Sequence, residues 1–190
     1  MSTVKDDSQL RILTNELEKW NCDILVVAET HRHSTEQLCL NGYKFIAQGV
    51  EEDTSRSGVG MFLSKNAQKA FIGYNPVSDQ TILARLKTMI GYSIVIQIYA
   101  PTTDAKQQEV DSFYSLLQAT LNEHKDNESV IVMGDFNAKV STDWENSGAA
   151  LGRFGIGDAN EAGERLIQFA TANSLVITNT CFRQAKANRQ

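Results

Sequence analysis

Apolar residues along this chain switch between two periods. Leu10, Ile12, Leu13, Leu17 and Trp20 recur at helical spacing in an otherwise polar segment, which predicts a helix, and Asp23 to Ala28 follows as a short apolar strand. Tyr43 to Ala47 predicts another short strand, the polar run Gly49 to Gly58 a connection, and Val59 to Leu63 the strand beyond it. Strand patterning continues through Ala70 to Tyr74, Thr81 to Leu86 and Tyr92 to Tyr99, until Pro101 stops it. Val110, Phe113, Leu116, Leu117 and Leu121 return to helical spacing within 107–124. Val130 to Met133 then predicts a strand apolar on both faces, which Gly134 breaks. Residues 141–160 are rich in Gly, Asn and Asp and predict a long loop. Leu166, Ile167, Phe169 and Ala170 predict a last helix over 161–173, and Leu175 to Thr178 a closing strand. Helices beside several β hairpins, with no internal repeat, predict an α/β protein: a layered sandwich of two packed mixed β sheets flanked by helices.

Composition narrows the class of molecule. With 190 residues, 42% of them hydrophobic, and 2 prolines, the chain can bury one sizeable core, and one domain is the expectation. No stretch approaches the ~20 apolar residues of a membrane span, and Met1 to Gln9 lacks the apolar core of a secretory signal. No membrane partner is expected, and the location expected is intracellular, nuclear or cytoplasmic. Cys22, Cys39 and Cys181 are odd in number and widely spaced, against a disulfide framework and against a thiolate zinc site. The net charge of -5 disfavours a nonspecific nucleic-acid coat but permits a local basic face beside an acidic metal site.

Three strand ends deliver polar chemistry. Ile24 to Ala28 leads to Glu29, Ile94 to Ile98 leads to Tyr99, and Val130 to Met133 leads to Asp135 and Asn137. Any one of these acids or amides alone is commonly a helix cap or turn former. Together they are the groups from which α/β enzymes build a site on the rigid ends of strands.

The segments Val27-Ala28-Glu29-Thr30, Ile98-Tyr99-Ala100-Pro101-Thr102 and Gly134-Asp135-Phe136-Asn137-Ala138 resemble, in order and spacing, three signatures of the endonuclease/exonuclease/phosphatase superfamily. Asn160-x-x-Gly163-x-x-Leu166-x-x-Phe169 followed by Asn179-Thr180-x-Phe182 is similar to the endonuclease domains of LINE-type non-LTR retrotransposons and to the craniofacial development protein 2-like group related to them. The resemblance runs over 10–182, leaving 1–9 as a disordered N-terminus and 183–190 as a basic tail.

This resemblance implies Mg2+-dependent hydrolysis of a phosphodiester in DNA, with Mn2+ as a substitute ion. Glu29 matches the family's metal-binding glutamate, a hard oxygen ligand suited to a cation that keeps several waters. Asp135 matches the carboxylate that orients or deprotonates the attacking water and lies beside the metal. Asn137, on the same side if the chain stays extended, matches the amide donor to the charge developing on phosphorus. Tyr99 matches the active-site tyrosine, although core packing alone would also place a tyrosine there. Asn160 matches a family position before the penultimate helix, where capping of that helix is equally open. Arg32 is a candidate phosphate contact. A zinc site from His31, His33 and Cys39 lacks supporting spacing, and Gly58-x-Gly60 precedes a strand, so it is a turn rather than a phosphate cradle.

The family pattern also contains a first strand bearing an asparagine and a terminal Ser-Asp-His motif; neither occurs here, and His124 does not match the latter. The expectation is a partial domain, truncated at both ends, whose exposed sheet edges another chain or segment completes. Besides endonuclease chemistry, two alternatives stay open: a phosphatase of the same superfamily, and a noncatalytic remnant that binds nucleic acid or a protein.

Overall fold

The structure is a computed structural model and describes residues 7–32, 35–49, 58–141 and 149–183. They belong to two compact units, Met1–Asp135 and Phe136–Gln190. The first is an α/β sandwich of two four-stranded sheets. Sheet A is ordered β1 (Ile24–Ala28), β4 (Val59–Leu63), β3 (Tyr43–Gln48), β2 (Glu36–Leu40), and sheet B is ordered β5 (Phe71–Ser78), β6 (Thr81–Thr88), β7 (Gly91–Tyr99), β8 (Glu128–Asp135). Helix α1 (Asp7–Lys19) precedes β1, the short α2 (Lys65–Ala70) links β4 to β5, and α3 (Gln107–Leu121) links β7 to β8. None of the helices among the described residues is long and apolar enough to cross a membrane.

Two apolar layers hold this unit together. Leu10 and Leu17 of α1 pack with Leu40, Tyr43, Phe45, Ala47 and Phe62 on the outer face of sheet A. Phe45 and Phe62 lie side by side, ring centroids 4.5 Å apart. No Cβ fits at Gly60 between them and β1, because it would sit 2.6 Å from Phe45 Cε2 and 3.1 Å from Val27 Cγ2. The inner layer joins the sheets: Ile46, Met61 and Leu63 meet Ala84, Leu86 and Val95. Alternation along each strand sends one set of side chains to each layer, which is why β4 is buried throughout and β3, β6 and β7 over most of their length.

Several sequence expectations need correction. Asp7 to Gln9 begin α1 rather than belonging to a disordered N-terminus, while 1–6 and the tail 184–190 lie outside the described residues. Ile12 and Trp20, assigned to the apolar stripe, are exposed, and buried Thr14 takes a place on it. Strand β2 and helix α2 escaped prediction because Glu36-Gln-Leu-Cys-Leu40 and Lys65-Asn-Ala-Gln-Lys-Ala70 carry too few apolar residues to show a period. Ser64 caps α2, its oxygen accepting from Asn66 N and Ala67 N. Sheet A is wholly antiparallel, and only sheet B is mixed, through the parallel β7–β8 pair. Strand β8 is not buried on both faces. It is the edge of sheet B, and Ile131 is 48% exposed.

The second unit is built on α4 (Glu161–Ala172). Asn160 caps it, its Oδ1 accepting from Gly163 N at 2.9 Å and from Lys139 N at 3.0 Å, while Asn160 N donates to Lys139 O at 3.2 Å. A Cβ at Gly163 would fall 1.7 Å from Lys139 O, so the first turn of α4 lies directly on the backbone that follows the Gly-Asp-Phe-Asn motif. Leu175 to Thr178 is not a strand. It contributes one parallel bridge, Leu151↔Ile177, and then a 3-10 turn over Thr178–Thr180. Ser174, in the left-handed region at φ 53, turns the chain out of α4 and leaves no length for a ladder.

Two substitutions test this packing. Phe62→Ala removes half of the aromatic pair under α1 and is expected to cost about 3–5 kcal/mol, read as a lower urea midpoint at unchanged slope. Gly134→Ala is expected to destabilise by about 3 kcal/mol in the same measurement, because its Cβ would lie 1.9 Å from Ile98 O at a φ of 144.

Candidate active site

Strands β7 and β8 run in parallel register, so their C-terminal ends finish together: Tyr99 is opposite Asp135, and Ala100 N donates to Asp135 O at 2.8 Å. Close approach of the two backbones at this point requires Gly134. Tyr99 reaches across to the other sheet, its hydroxyl donating to Glu29 Oε1 at 2.6 Å. Three of the four residues expected at the site therefore gather at one end of the sandwich: Glu29 from the end of β1, Tyr99 from β7 and Asp135 from β8. Glu29 and Asp135 are exposed and Tyr99 is half-buried, so the carboxylates keep contact with solvent.

Glu29 is held by strained backbone. Its φ of 53 and that of His31, 49, lie in the left-handed region, which costs a residue bearing a Cβ about 1–2 kcal/mol. The residue between them, Thr30, is fully buried, and its amide donates to Gly58 O at 3.1 Å. Gly58 N in turn donates to Asp79 O at 3.2 Å, and Tyr99 N donates to Gln80 O at 2.9 Å. The β5–β6 turn thus anchors both the Glu29 loop and the end of β7. Of the Gly58-x-Gly60 pair predicted as a turn, Gly60 lies within β4, while Gly58 precedes it with a φ of 117, and a Cβ there would meet Thr30 Oγ1 at 2.6 Å.

Asn137 departs from the expected geometry. β8 ends at Asp135 and Asn137 has a φ of 48, so the chain is not extended there and the alternation that would put both side chains on one face does not apply. Asn137 follows Asp135 by two residues and begins the second unit with its neighbours. Asn160 occupies the helix-cap position described above. The Arg32 side chain is 10% exposed, bonds Glu36 and lies over the Phe45 ring with its guanidinium carbon 5.6 Å from the centroid. Two groups, Glu36 and Phe45, thus already contact this candidate phosphate ligand.

The donor set suits a hard cation. Two carboxylates are what Mg2+ commonly takes from a protein, the rest of its shell being water and substrate oxygen. No group of three or more His, Cys, Asp or Glu able to hold a metal occurs among the described residues, which a structural zinc site would require. His33, of the zinc set weighed above, lies outside those residues. His124 follows α3, its Nδ1 against Leu121 O.

Sequence reasoning missed the supports beneath the site. Gln97 is 0% exposed and donates from Nε2 to Val27 O at 2.9 Å, while its Oε1 and the Thr30 Oγ1 are buried without a hydrogen-bond partner among the described residues. The signal was available: Gln97 is the one polar residue in the run Ile94-Val-Ile-Gln-Ile98.

Residues 2–185 match the endonuclease/exonuclease/phosphatase family. Craniofacial development protein 2 from Bos taurus is 36% identical over 176 residues, covering 93% of this chain and 29% of that protein. The protein of the same name from Tragulus javanicus is 35% identical over 176 residues, covering 93% and 30%. The chain thus spans less than a third of these relatives' length. A solved structure of humanized D. rerio TDP2 carrying 14 mutations superposes with a TM-score of 0.44 at 15% identity, covering 72% of this chain and 64% of that one. Three ordered motifs, a two-sheet sandwich and a match across nearly the whole sequence lead to one assignment: the chain belongs to the endonuclease/exonuclease/phosphatase family.

Proposed function

We propose that this chain hydrolyses phosphodiester bonds of DNA as a Mg2+-dependent endonuclease of the retrotransposon type, acting in the nucleus or cytoplasm. The observation that carries the proposal is the convergence of Glu29, Tyr99 and Asp135, joined by the 2.6 Å Tyr99–Glu29 hydrogen bond and the β7–β8 register. The family name covers nucleases and phosphatases. DNA as the substrate rests on the similarity of Asn160-x-x-Gly163 and Asn179-Thr180-x-Phe182 to LINE-type endonuclease domains.

Glu29 and Asp135 would hold Mg2+, or Mn2+ in its place. When bound, the ion supplies positive charge against the phosphate oxygens and lowers the cost of charge building on them. The Asp135 carboxylate accepts a proton from the water whose oxygen attacks phosphorus. As the new P–O bond forms, the bond from phosphorus to the sugar 3'-oxygen breaks; that oxygen takes a proton from solvent, leaving a 3'-hydroxyl and a 5'-phosphate. By the resemblance, Asn137 would donate its amide to a non-bridging oxygen at any pH, since the group does not titrate in water. Tyr99 fixes Glu29 through its hydroxyl, and the left-handed backbone at Glu29 fixes the carboxylate from the other side.

One set of observations favours a second reading, a binding module completed by another chain. Strands β1 and β8 are both outer edges, with no strand paired beyond them among the described residues. All five residues of β1 are half-buried, and Ile131 of β8 is 48% exposed. Such edges accept an added strand.

Supercoiled plasmid incubated with and without Mg2+ separates these readings. Nicking that needs the metal and drops at least ~100-fold in Asp135→Ala is expected; no metal-dependent nicking rules out the nuclease, and nicking unchanged in the variant rules out the site. Tyr99→Phe keeps the ring and removes the hydroxyl, and a fall of roughly tenfold in rate is expected from freeing the Glu29 carboxylate.

A further inference from the structure

Between the two sheets, one polar side chain stands among apolar ones without an evident structural purpose. Gln97 shares its face of β7 with Val95, which packs in the inner apolar layer, and with Tyr99 at the strand end. Of its two polar groups only Nε2 is used, and it donates to Val27 O. Its Oε1 is buried and has no hydrogen-bond partner among the described residues, so leucine or methionine would fill the same space without stranding an acceptor. A residue that stability alone disfavours points to a different constraint.

The constraint is visible in the register. Gln97 on β7 bonds residue 27 on β1, and Tyr99 on β7 bonds residue 29 just past the end of β1. Two successive residues on one face of β7 therefore grip two alternate positions of the neighbouring sheet. Among the described residues β1 is an edge strand, hydrogen-bonded in the ladder to β4 alone, and its side chains are half-buried throughout. Apolar packing between sheets is non-directional and would let such a strand shift along the interface; a hydrogen bond to a backbone carbonyl does not. We propose that Gln97 is a positioning residue of the active site, its carboxamide clamping the Val27 carbonyl so that Glu29 stays in reach of the Tyr99 hydroxyl and of a divalent ion. This rests on the reading of Glu29 and Asp135 as the metal-binding acids of a hydrolytic site.

Gln97→Met tests it, because the side chain keeps its length and loses the donor. The purified variant is expected to melt at or above the parent temperature, since the stranded oxygen is gone. Mn2+ titration, followed by paramagnetic broadening of the Glu29 carboxyl carbon, is expected to show at least ~10-fold weaker binding, and plasmid nicking a ~10- to 100-fold lower kcat at unchanged KM, as for other groups that orient a metal ligand. Equal Mn2+ affinity and equal kcat in variant and parent overturn the proposal. If the parent neither binds Mn2+ nor nicks, the hydrolytic reading has failed. Gln97 is then judged by the Tyr99 ring-carbon shift without metal: a shift in Gln97→Met toward that of a solvent-exposed tyrosine retains the clamp, and an unmoved shift removes it. Should Gln97→Met not fold, Gln97→Asn, one methylene short of Val27, is read by the same three measurements with the same outcomes.

Discussion

Two strands from different sheets have to end at the same place for this chain to have a site. The hydrogen bond from Tyr99 to Glu29 is where that happens, and most of the larger unit can be seen as arranging it. Sheet B supplies a rigid partner: β7 is a central strand, buried from Ile94 to Ile98, with β6 on one side and β8 on the other. Sheet A supplies a looser one, since β1 is an edge. The turn at Asp79 and Gln80 reconciles them by taking a hydrogen bond from Gly58 beside the Glu29 loop and another from Tyr99 itself. Position is thereby fixed by directional contacts at the rim, while the non-directional burial of Met61, Leu86, Val95 and their neighbours fixes only the spacing of the layers.

Local strain recurs at the same rim, as it does at Asn21, Asn41 and Ser174 elsewhere. Glu29 and His31 have left-handed backbone, and Gly134 adopts a φ that side chains rarely tolerate. None of these conformations lowers the energy of the fold, and they persist because buried neighbours over-determine them. Thr30 is buried between two left-handed residues, and the tight approach of Gly134 to Ile98 pins the end of β8. A carboxylate held this way loses less freedom when it takes a ligand than one on a free loop, which is the physical use of building a site from strained strand ends.

How much of this was legible depended on what kind of information each element carried. The long strands and helices α1, α3 and α4 announce themselves by periodicity, and the motifs at Glu29, Tyr99 and Asp135 by position at strand ends. Strand β2 could not be read, because Glu36-Gln-Leu-Cys-Leu40 alternates too weakly and its pairing with β3 is a tertiary fact. The Leu175 to Thr178 run looked like a strand and is not one, since its ladder pairing among the described residues is the single bridge Leu151↔Ile177 and Thr180 folds back, its hydroxyl bonding Ile177 O. The burial of β8 was overestimated for the same reason: an apolar run records what a strand can bury, not whether a neighbour exists to bury it. Asn137 shows the limit most plainly. Two residues separate it from Asp135, and an alternating-strand rule fails as soon as one φ turns positive.

The edges and the acids belong to the same strands, and this couples assembly to chemistry. β1 leads directly to Glu29 and β8 ends in Asp135, yet each has only one ladder partner among the described residues. Strands bonded on one side open at lower free energy than central ones, and β1 and β8 share that position with β2 and β5, so the bonds from Gln97 and Tyr99 fall on a strand that its own ladder holds from one side. On the proposed reading, a strand added at either edge and a divalent cation held by Glu29 and Asp135 would favour the same closed arrangement, and by linkage each would strengthen the binding of the other. An added strand would then raise metal affinity without touching the metal.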